Sequence, residues 1–260
     1  MAEKMNNLSG AEWLKHSFSI WRDLRKNPEE LALKHPAMFP TQLAEKLIDI
    51  YTREAGEVVL DPFLGSGTTL VAAANRQRQG VGVELNPEYA TIAESRAGEI
   101  SPDYPPQILI GDAREKLAEL DDESVDLSIN SPPYWDILNQ RRSVDDRDIS
   151  GYSESESDLG NTEDYQHFLS QLKQVYSEVY RVLKPNKRCV CVVMDIRKKS
   201  KFFPLHMDLS NIMTEIGFEV EEFIIWDRQH EYNNMKPLGY PWVFRVNKVH
   251  EFVCIYWKRE

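Results

Sequence analysis

Cysteine and long apolar runs are both scarce in this chain of 260 residues. The three cysteines, Cys189, Cys191 and Cys254, fall in strand-like stretches, and no Cys-x-x-Cys pair or Cys/His cluster has zinc spacing. Metal and disulfide chemistry are therefore not expected, and the thiols read as reduced core residues of a cytosolic protein. The longest apolar runs, such as Cys189–Met194 and Phe252–Trp257, are strand-sized, whereas a membrane helix needs roughly 20 apolar residues. Residues 1–13 lack the basic patch and apolar stretch of a secretory leader, so a cytoplasmic protein with no membrane partner is expected.

A surplus of basic charge is missing too. The net charge is −11, and residues 112–164 hold 16 acids against 5 bases, while the remainder balances at 26 of each. Binding of nucleic acid regardless of sequence draws on Lys and Arg, so the chain as a whole is ill suited to it. Lys187, Arg188, Arg197, Lys198, Lys199 and Lys201 do cluster, with Arg141 and Arg142 elsewhere, but such clusters are usually a solvated rim.

What is present is ample core material: 42% of residues are hydrophobic and 10% aromatic. Strand signals at Val58–Asp61, Val81–Leu85, Ile108–Asp112, Val125–Asn130, Arg188–Ile196, Glu221–Asp227 and Glu251–Trp257 alternate with helix signals. Helices are expected at Pro40–Tyr51, Thr68–Arg76, Pro87–Gly98, Tyr165–Leu183 and Leu205–Ile216. Alternation of this kind predicts an α/β fold: a doubly wound, mostly parallel seven-stranded sheet whose final strand is antiparallel. One domain over 1–260 is expected. Residues 1–39 read as an N-terminal extension with an amphipathic patch from Trp13 to Leu24, and the acidic, Ser-rich stretch 135–162 as a substrate-facing loop, with disorder in the absence of a partner as the competing reading.

Two motifs carry chemistry. The first, Val58 to Leu70, reads as a strand ending in Asp61, a turn at Gly65–Gly67, and a helix opening at Thr68 and Thr69. Free N–H groups at a helix start suit an anion, and glycine permits close approach. The third glycine of a dinucleotide site and the Gly-Lys ending of a P-loop are both absent, which favours a nucleoside ligand with an amino-acid tail and no phosphate. A Gly-x-Gly alone is more often a turn without function. Glu84 and Asp112 strengthen the signal, because three successive strands then end in an acid on one sheet edge, where a carboxylate reaches ribose hydroxyls or an adenine amine. The second motif runs from Val125 to Trp135. Pro132 and Pro133 stiffen the chain after a strand and leave the Ser131 hydroxyl and nearby carbonyls as acceptors, with Tyr134 as a flat apolar face. That set suits a planar ring bearing an exocyclic amine. Read alone, it is equally a Pro-Pro loop ending a strand, with Tyr134 and Trp135 in the core.

Together these residues resemble the methyltransferases that use S-adenosylmethionine to methylate the exocyclic nitrogen of cytosine or adenine in DNA. The matching residues are Asp61-Pro62-Phe63-Leu64-Gly65-Ser66-Gly67-Thr68-Thr69 and Ser131-Pro132-Pro133-Tyr134, with weaker likeness at His35–Pro40 and His250–Val253. The resemblance implies a Rossmann-like class I methyltransferase fold with S-adenosylmethionine as cofactor. It implies that Asp61 and the turn of Gly65, Ser66 and Gly67 hold the methionine end and Glu84 the ribose, with Pro62, Phe63, Thr68, Thr69, Leu85 and Asn86 also binding the cofactor. Asp112, Ala113, Phe39 and Pro40 surround the adenine, and Asn130 completes the cofactor set. Ser131, Pro132, Pro133 and Tyr134 are the implied catalytic tetrad, and Tyr134, Trp135, Arg141 and Arg142 meet the substrate. A serine opening the tetrad resembles the branch that methylates N4 of cytosine.

Two departures stand against a simple transfer. The cofactor half precedes the catalytic half, and no target-recognition domain of the usual size is visible. Only the N-terminal 34 residues, 135–162 and Arg228–Asn247 are left to read a substrate. The expected partner is nucleic acid, DNA first and RNA (ribosomal RNA included) as the alternative, with a recognition partner or a second copy of the chain alongside. Adenine N6 methylation and a non-catalytic subunit rank lower.

Overall fold

In the computed structural model, residues 4–33, 38–98, 100–135, 159, 162, 164–198, 200–232, 235 and 237–260 are described. After two short capped helices, α1 (Gly10–His16) and α2 (Pro28–Ala32), and the two-residue strand β1 (Ile20–Trp21) between them, α3 (Thr41–Tyr51) leads into the alternating core. There β2 (Val58–Asp61), α4 (Thr68–Asn75), β3 (Gln79–Glu84), α5 (Pro87–Ala97), β4 (Gln107–Ile110), α6 (Ala113–Lys116) and β5 (Val125–Asn130) follow one another. The second half comprises α7 (Tyr165–Val182), β6 (Leu183–Val193), the hairpin β7 (Ile196–Lys198) and β8 (Lys201–Phe203), α8 (Leu205–Ile216), β9 (Glu219–Asp227) and β10 (His250–Trp257).

The main sheet has eight strands in the order β1-β9-β10-β6-β5-β2-β3-β4, one more than the seven expected. The extra strand comes from the N-terminal extension: Ile20 and Trp21 pair in parallel with Ile225 and Trp226. A two-residue strand carries no periodicity of its own, and only the pairing defines it. All other neighbours are parallel except β10, which runs against both β9 and β6. From β2 the chain winds to β3 and β4 on one side and to β5 and β6 on the other. The switch between β2 and β5 opens a crevice at their carboxyl ends, where ligands of such sheets bind.

Side-chain alternation divides the core. On one face Leu127, Ile129, Val190, Val192, Val253 and Ile255 pack under α3 and α4; on the other Cys189, Cys191, Cys254 and Tyr256 pack under α7 and α8. β5 is buried along its whole length, as a central parallel strand must be. Burial of these apolar side chains contributes roughly 1.5–3 kcal/mol each and holds the strand ends in register.

Caps place the helix starts. Asn86 accepts from Glu88 N at 2.9 Å and Asp164 from His167 N at 2.8 Å. The α3 start has Pro40 at its N-cap and no cap from that residue, and Glu30 of α2 reaches across instead, accepting from Thr41 N at 2.6 Å. Of the patch expected from Trp13 to Leu24, only Trp21 and Leu24 are buried; Trp13 and Leu14 are exposed. Most of the loop expected at 135–162, with Arg141 and Arg142, lies outside the described residues, as do His35, Pro36 and Ala37.

Candidate active site

The carboxyl ends of β2, β3 and β5 bring the two motifs to one crevice. After β2, Gly65 and Gly67 both take positive φ, at 56° and 85°, so the chain turns sharply enough to start α4 at Thr68. A side chain at Gly67 would strike Ala93 of α5 at 2.6 Å, which is why this position needs glycine. Asp61, 2% exposed, accepts from Phe63 N at 3.0 Å and from Thr69 Oγ1 at 2.6 Å. Burial first, and then the nearby Glu84 charge, outweigh these bonds and push the Asp61 carboxyl up to about 7. Among the described residues no Lys or Arg pairs with it.

Glu84 ties the loop to the next strand, accepting from Gly65 N and from Asn86 N, each at 2.7 Å. Ser66 Oγ donates to Met38 Sδ at 3.2 Å, and Arg96 donates to the Ser66 carbonyl. Pro62 is buried, Leu85 and Asn86 line the surface beside Glu84, and Phe39 and Pro40 pack at the start of α3. Asp112 stands differently from the other two acids: β4 ends at Ile110, so Asp112 lies beyond the strand and caps α6. Its carboxylate is gripped by Arg114, with Nε at 2.9 Å from Oδ1, and this pairing outweighs burial and holds it below the usual range. Ala113 follows, half-buried.

The second motif follows β5. Ser131 Oγ donates to Tyr134 Oη at 3.2 Å, and Tyr134 Oη donates to Glu251 Oε2 of β10 at 2.8 Å. Burial, then the Glu251 charge, push the Tyr134 phenol well above its ordinary range, so it stays protonated. Pro132 is buried and Pro133 half-buried, which fixes the turn between Ser131 and Tyr134.

Two expectations need correction. The Asn130 side chain is fully buried, its Oδ1 accepting from Tyr176 Oη of α7 at 2.7 Å, so it braces the loop from beneath. Trp135 is 5% exposed and packs on Tyr165 and Phe203 at ring-centroid distances of 5.1 and 4.9 Å, with Nε1 donating to the Thr162 carbonyl at 2.7 Å. Its indole supports the tetrad and presents no face for a base. The clustered bases divide as well: Lys187 pairs with Glu57 and Arg188 with Glu221, while Lys198 and Lys201 lie over Trp135 and Phe203.

The arrangement contains residues that the motifs did not reveal. Glu251 holds the tetrad tyrosine, and Arg228 holds Glu251 and stacks over Trp226. The only signal of this in the sequence was the His250–Val253 stretch, where one acid in a strand says nothing of its partner.

S-adenosylmethionine, the cofactor implied by the sequence, fits these residues. Thr68 Oγ1 is buried at the turn without a hydrogen-bond partner among the described residues, and Asp61, bonded to the next residue Thr69, is a buried acid whose charged form a cationic ligand would favour. No group of three or more His, Cys, Asp or Glu among the described residues could hold a metal ion, and no described helix is long and apolar enough to cross a membrane.

Known proteins share part of this chain's sequence and its fold. The orphan methyltransferase M.BamHII of Bacillus amyloliquefaciens is 42% identical over 83 residues, covering 30% of this chain and 31% of its own length. The chain thus spans about a third of that relative. A Thermus thermophilus protein, described as a DNA modification methylase and solved with S-adenosylmethionine, is 31% identical, covering 57% of this chain and 54% of its own, at a TM-score of 0.41. A SAM-dependent methyltransferase of Methanosarcina mazei shares the fold, at TM-score 0.50 and 16% identity, covering 79% of this chain and 94% of its own. The family model for DNA methylases of the N6/N4 type matches residues 2–95 and 125–260, most of the chain and both motifs. The chain belongs to the N6/N4 DNA methylase family.

Proposed function

We propose that this chain methylates the exocyclic N4 amine of cytosine in DNA, using S-adenosylmethionine and a target base turned out of the helix into the Ser131–Tyr134 pocket. The observation that carries the reading is the Ser131 hydroxyl, whose proton is directed to Tyr134, beside the cofactor turn. When bound, S-adenosylmethionine supplies an electrophilic methyl group. The amine of cytosine is a poor nucleophile because its lone pair is delocalised into the ring. Ser131 Oγ and the Pro132 carbonyl accept its two N–H bonds, localise the lone pair and aim it. The nitrogen would bond to the methyl as the methyl–sulfur bond breaks, S-adenosylhomocysteine would leave, and the proton shed by the methylated nitrogen would pass to water. The residues work by positioning and electrostatics without a strong base. Asp61 and the Gly65–Gly67 turn hold the methionine end, Glu84 the ribose, and Phe39 with Asp112 the adenine.

Turning a paired base out costs a few kcal/mol. Stacking on Tyr134 recovers roughly 1–3 kcal/mol. The segment between β9 and β10, at the same sheet edge, presents Tyr240, Trp242 and Phe244 at 78%, 89% and 93% exposure, and these aromatics suit contact with neighbouring bases. Cytosine is preferred to adenine because a serine opens the tetrad.

The test is methyl transfer from labelled S-adenosylmethionine to matched DNA and RNA pools, followed by nucleoside mass analysis. N4-methyldeoxycytidine is expected. N6-methyldeoxyadenosine overturns the base assignment, and N4-methylcytidine in RNA alone overturns the choice of DNA.

A further inference from the structure

We infer that Glu251 is a positioning residue: it sets the direction of the hydrogen bonds in the tetrad, so that Ser131 meets the target amine as an acceptor. The inference rests on the functional reading above and adds to it a residue on the far strand β10.

A hydroxyl both donates and accepts, and nothing in serine decides which it does toward a substrate. Methylation of an amine needs an acceptor, since a proton aimed at the amine nitrogen would tie up the lone pair that must react. A carboxylate only accepts. Glu251, 5% exposed, accepts from the Tyr134 hydroxyl at 2.8 Å, so the phenol oxygen is left as an acceptor toward Ser131 at 3.2 Å. The Ser131 proton is committed there in turn, and both lone pairs of Ser131 Oγ remain for the amine. The chain of bonds runs one way because its last member cannot donate.

Arg228 keeps that last member in place. Its guanidinium pairs with Glu251 Oε1 and with Glu231 Oε2 and stacks on Trp226 at 4.8 Å. Burial works against this cation, but Glu251 and Glu231 outweigh it and hold Arg228 above its ordinary range. The strands fix the pair's spacing: Arg228 N donates to the Val249 carbonyl at 2.8 Å, and Trp226 pairs with Glu251 in the β9–β10 register. The other acceptor near the phenol, the Val192 carbonyl, is more distant at 3.4 Å.

Glu251→Gln keeps shape but changes direction. Arg228 demands an acceptor, so the amide oxygen faces it and the amide N–H faces Tyr134. The phenol then receives a bond where it gave one, and its own proton is left to the Val192 carbonyl or to Ser131. Whenever it goes to Ser131, the serine proton turns toward the amine. In the full chain, with DNA as methyl acceptor, kcat is expected to fall on the order of 10- to 100-fold, while S-adenosylmethionine Kd stays within about twofold. Tyr134→Phe removes the link, so Glu251→Gln should add no further loss in that background. A wild-type kcat in Glu251→Gln, losses that multiply in the double variant, or a loss confined to cofactor binding overturns the inference. Should Glu251→Gln fail to fold, Tyr134→Phe, which leaves the Glu251–Arg228 pair intact, must lose kcat at unchanged cofactor affinity; a wild-type rate there overturns it equally. A wild type inactive on every nucleic-acid pool overturns the functional reading, and this inference with it, before any variant is made.

Discussion

The same parallel strands end in two chemically different rims, and two buried aspartates measure the difference. At the amino end Asp126, 5% exposed, accepts from Val58 N at 3.0 Å and pairs with Lys184 at 2.8 Å and Lys187 at 3.2 Å. Burial alone would raise its carboxyl, but these partners outweigh burial and hold it below the usual range. At the carboxyl end Asp61, 2% exposed, has a hydroxyl and one backbone N–H as its partners, and burial pushes it up to about 7. Burial is nearly equal and protonation goes opposite ways, because two lysines meet Asp126 whereas among the described residues no cation pairs with Asp61. A carboxylate balanced by lysines is structural. One left beside a glycine turn awaits positive charge from a ligand.

Four substitutions break or sharpen that contrast. Ser131→Ala at the carboxyl rim should lower methyl transfer by roughly 10²- to 10³-fold with S-adenosylmethionine Kd unchanged, measured by single-turnover transfer and equilibrium binding. A wild-type rate removes Ser131 from the mechanism. At the amino rim, Asp126→Asn should cost about 1–3 kcal/mol in denaturant unfolding, because Lys184 loses its charged partner and Lys187 one of its two, and should leave cofactor affinity alone. If cofactor binding fell as much as stability, the two rims would not be functionally separate.

Asp61 gives a pH signature. Its folded value lies above its ordinary value of 3.8, so its contribution to stability is fully present below pH 3.8 and is lost as pH rises through about 7. Ligand-free Asp61→Asn should therefore be more stable than wild type at pH 8, by up to about 4 kcal/mol, with the gap closing toward pH 4. Saturating S-adenosylmethionine should reverse the ranking at pH 8; thermal unfolding across pH reads both. Least disruptive is Trp242→Ala on the exposed segment, which should change stability by less than about 0.5 kcal/mol yet weaken DNA binding several-fold in a filter or anisotropy assay. Unchanged DNA affinity would remove that segment from the substrate surface.

Much of the frame was legible from periodicity and punctuation. Val58–Asp61 and Val125–Asn130 form strands with the bounds their apolar runs suggest, and Leu205–Ile216 ends at Gly217, whose φ of 124° few other residues adopt. Ile20–Trp21 was hidden because a strand of two residues exists only by pairing with β9. The hairpin at 196–203 was hidden because its first strand reads as a continuation of the run before it. Of the candidate site, Asp61 and Glu84 were legible from their place at strand ends. Asp112 lies beyond the end of β4 as the cap of α6, and its grip by Arg114 two residues on was not written in the motif. Trp135 and Asn130 were misassigned because adjacency to a motif does not say which way a side chain points; both turn toward α7 and its neighbours.

By itself the sequence determined the order of the core strands and helices, the two motifs at strand ends and the family to which they belong, because turns, caps and apolar runs are local. Only the tertiary structure decided which carboxylates are neutralised, which aromatics are core, and that Glu251 and Arg228 stand behind Tyr134. Residues 134 and 251 are far apart along the chain and meet through the register of β10 beside β6. Such contacts depend on packing geometry, which no local pattern encodes.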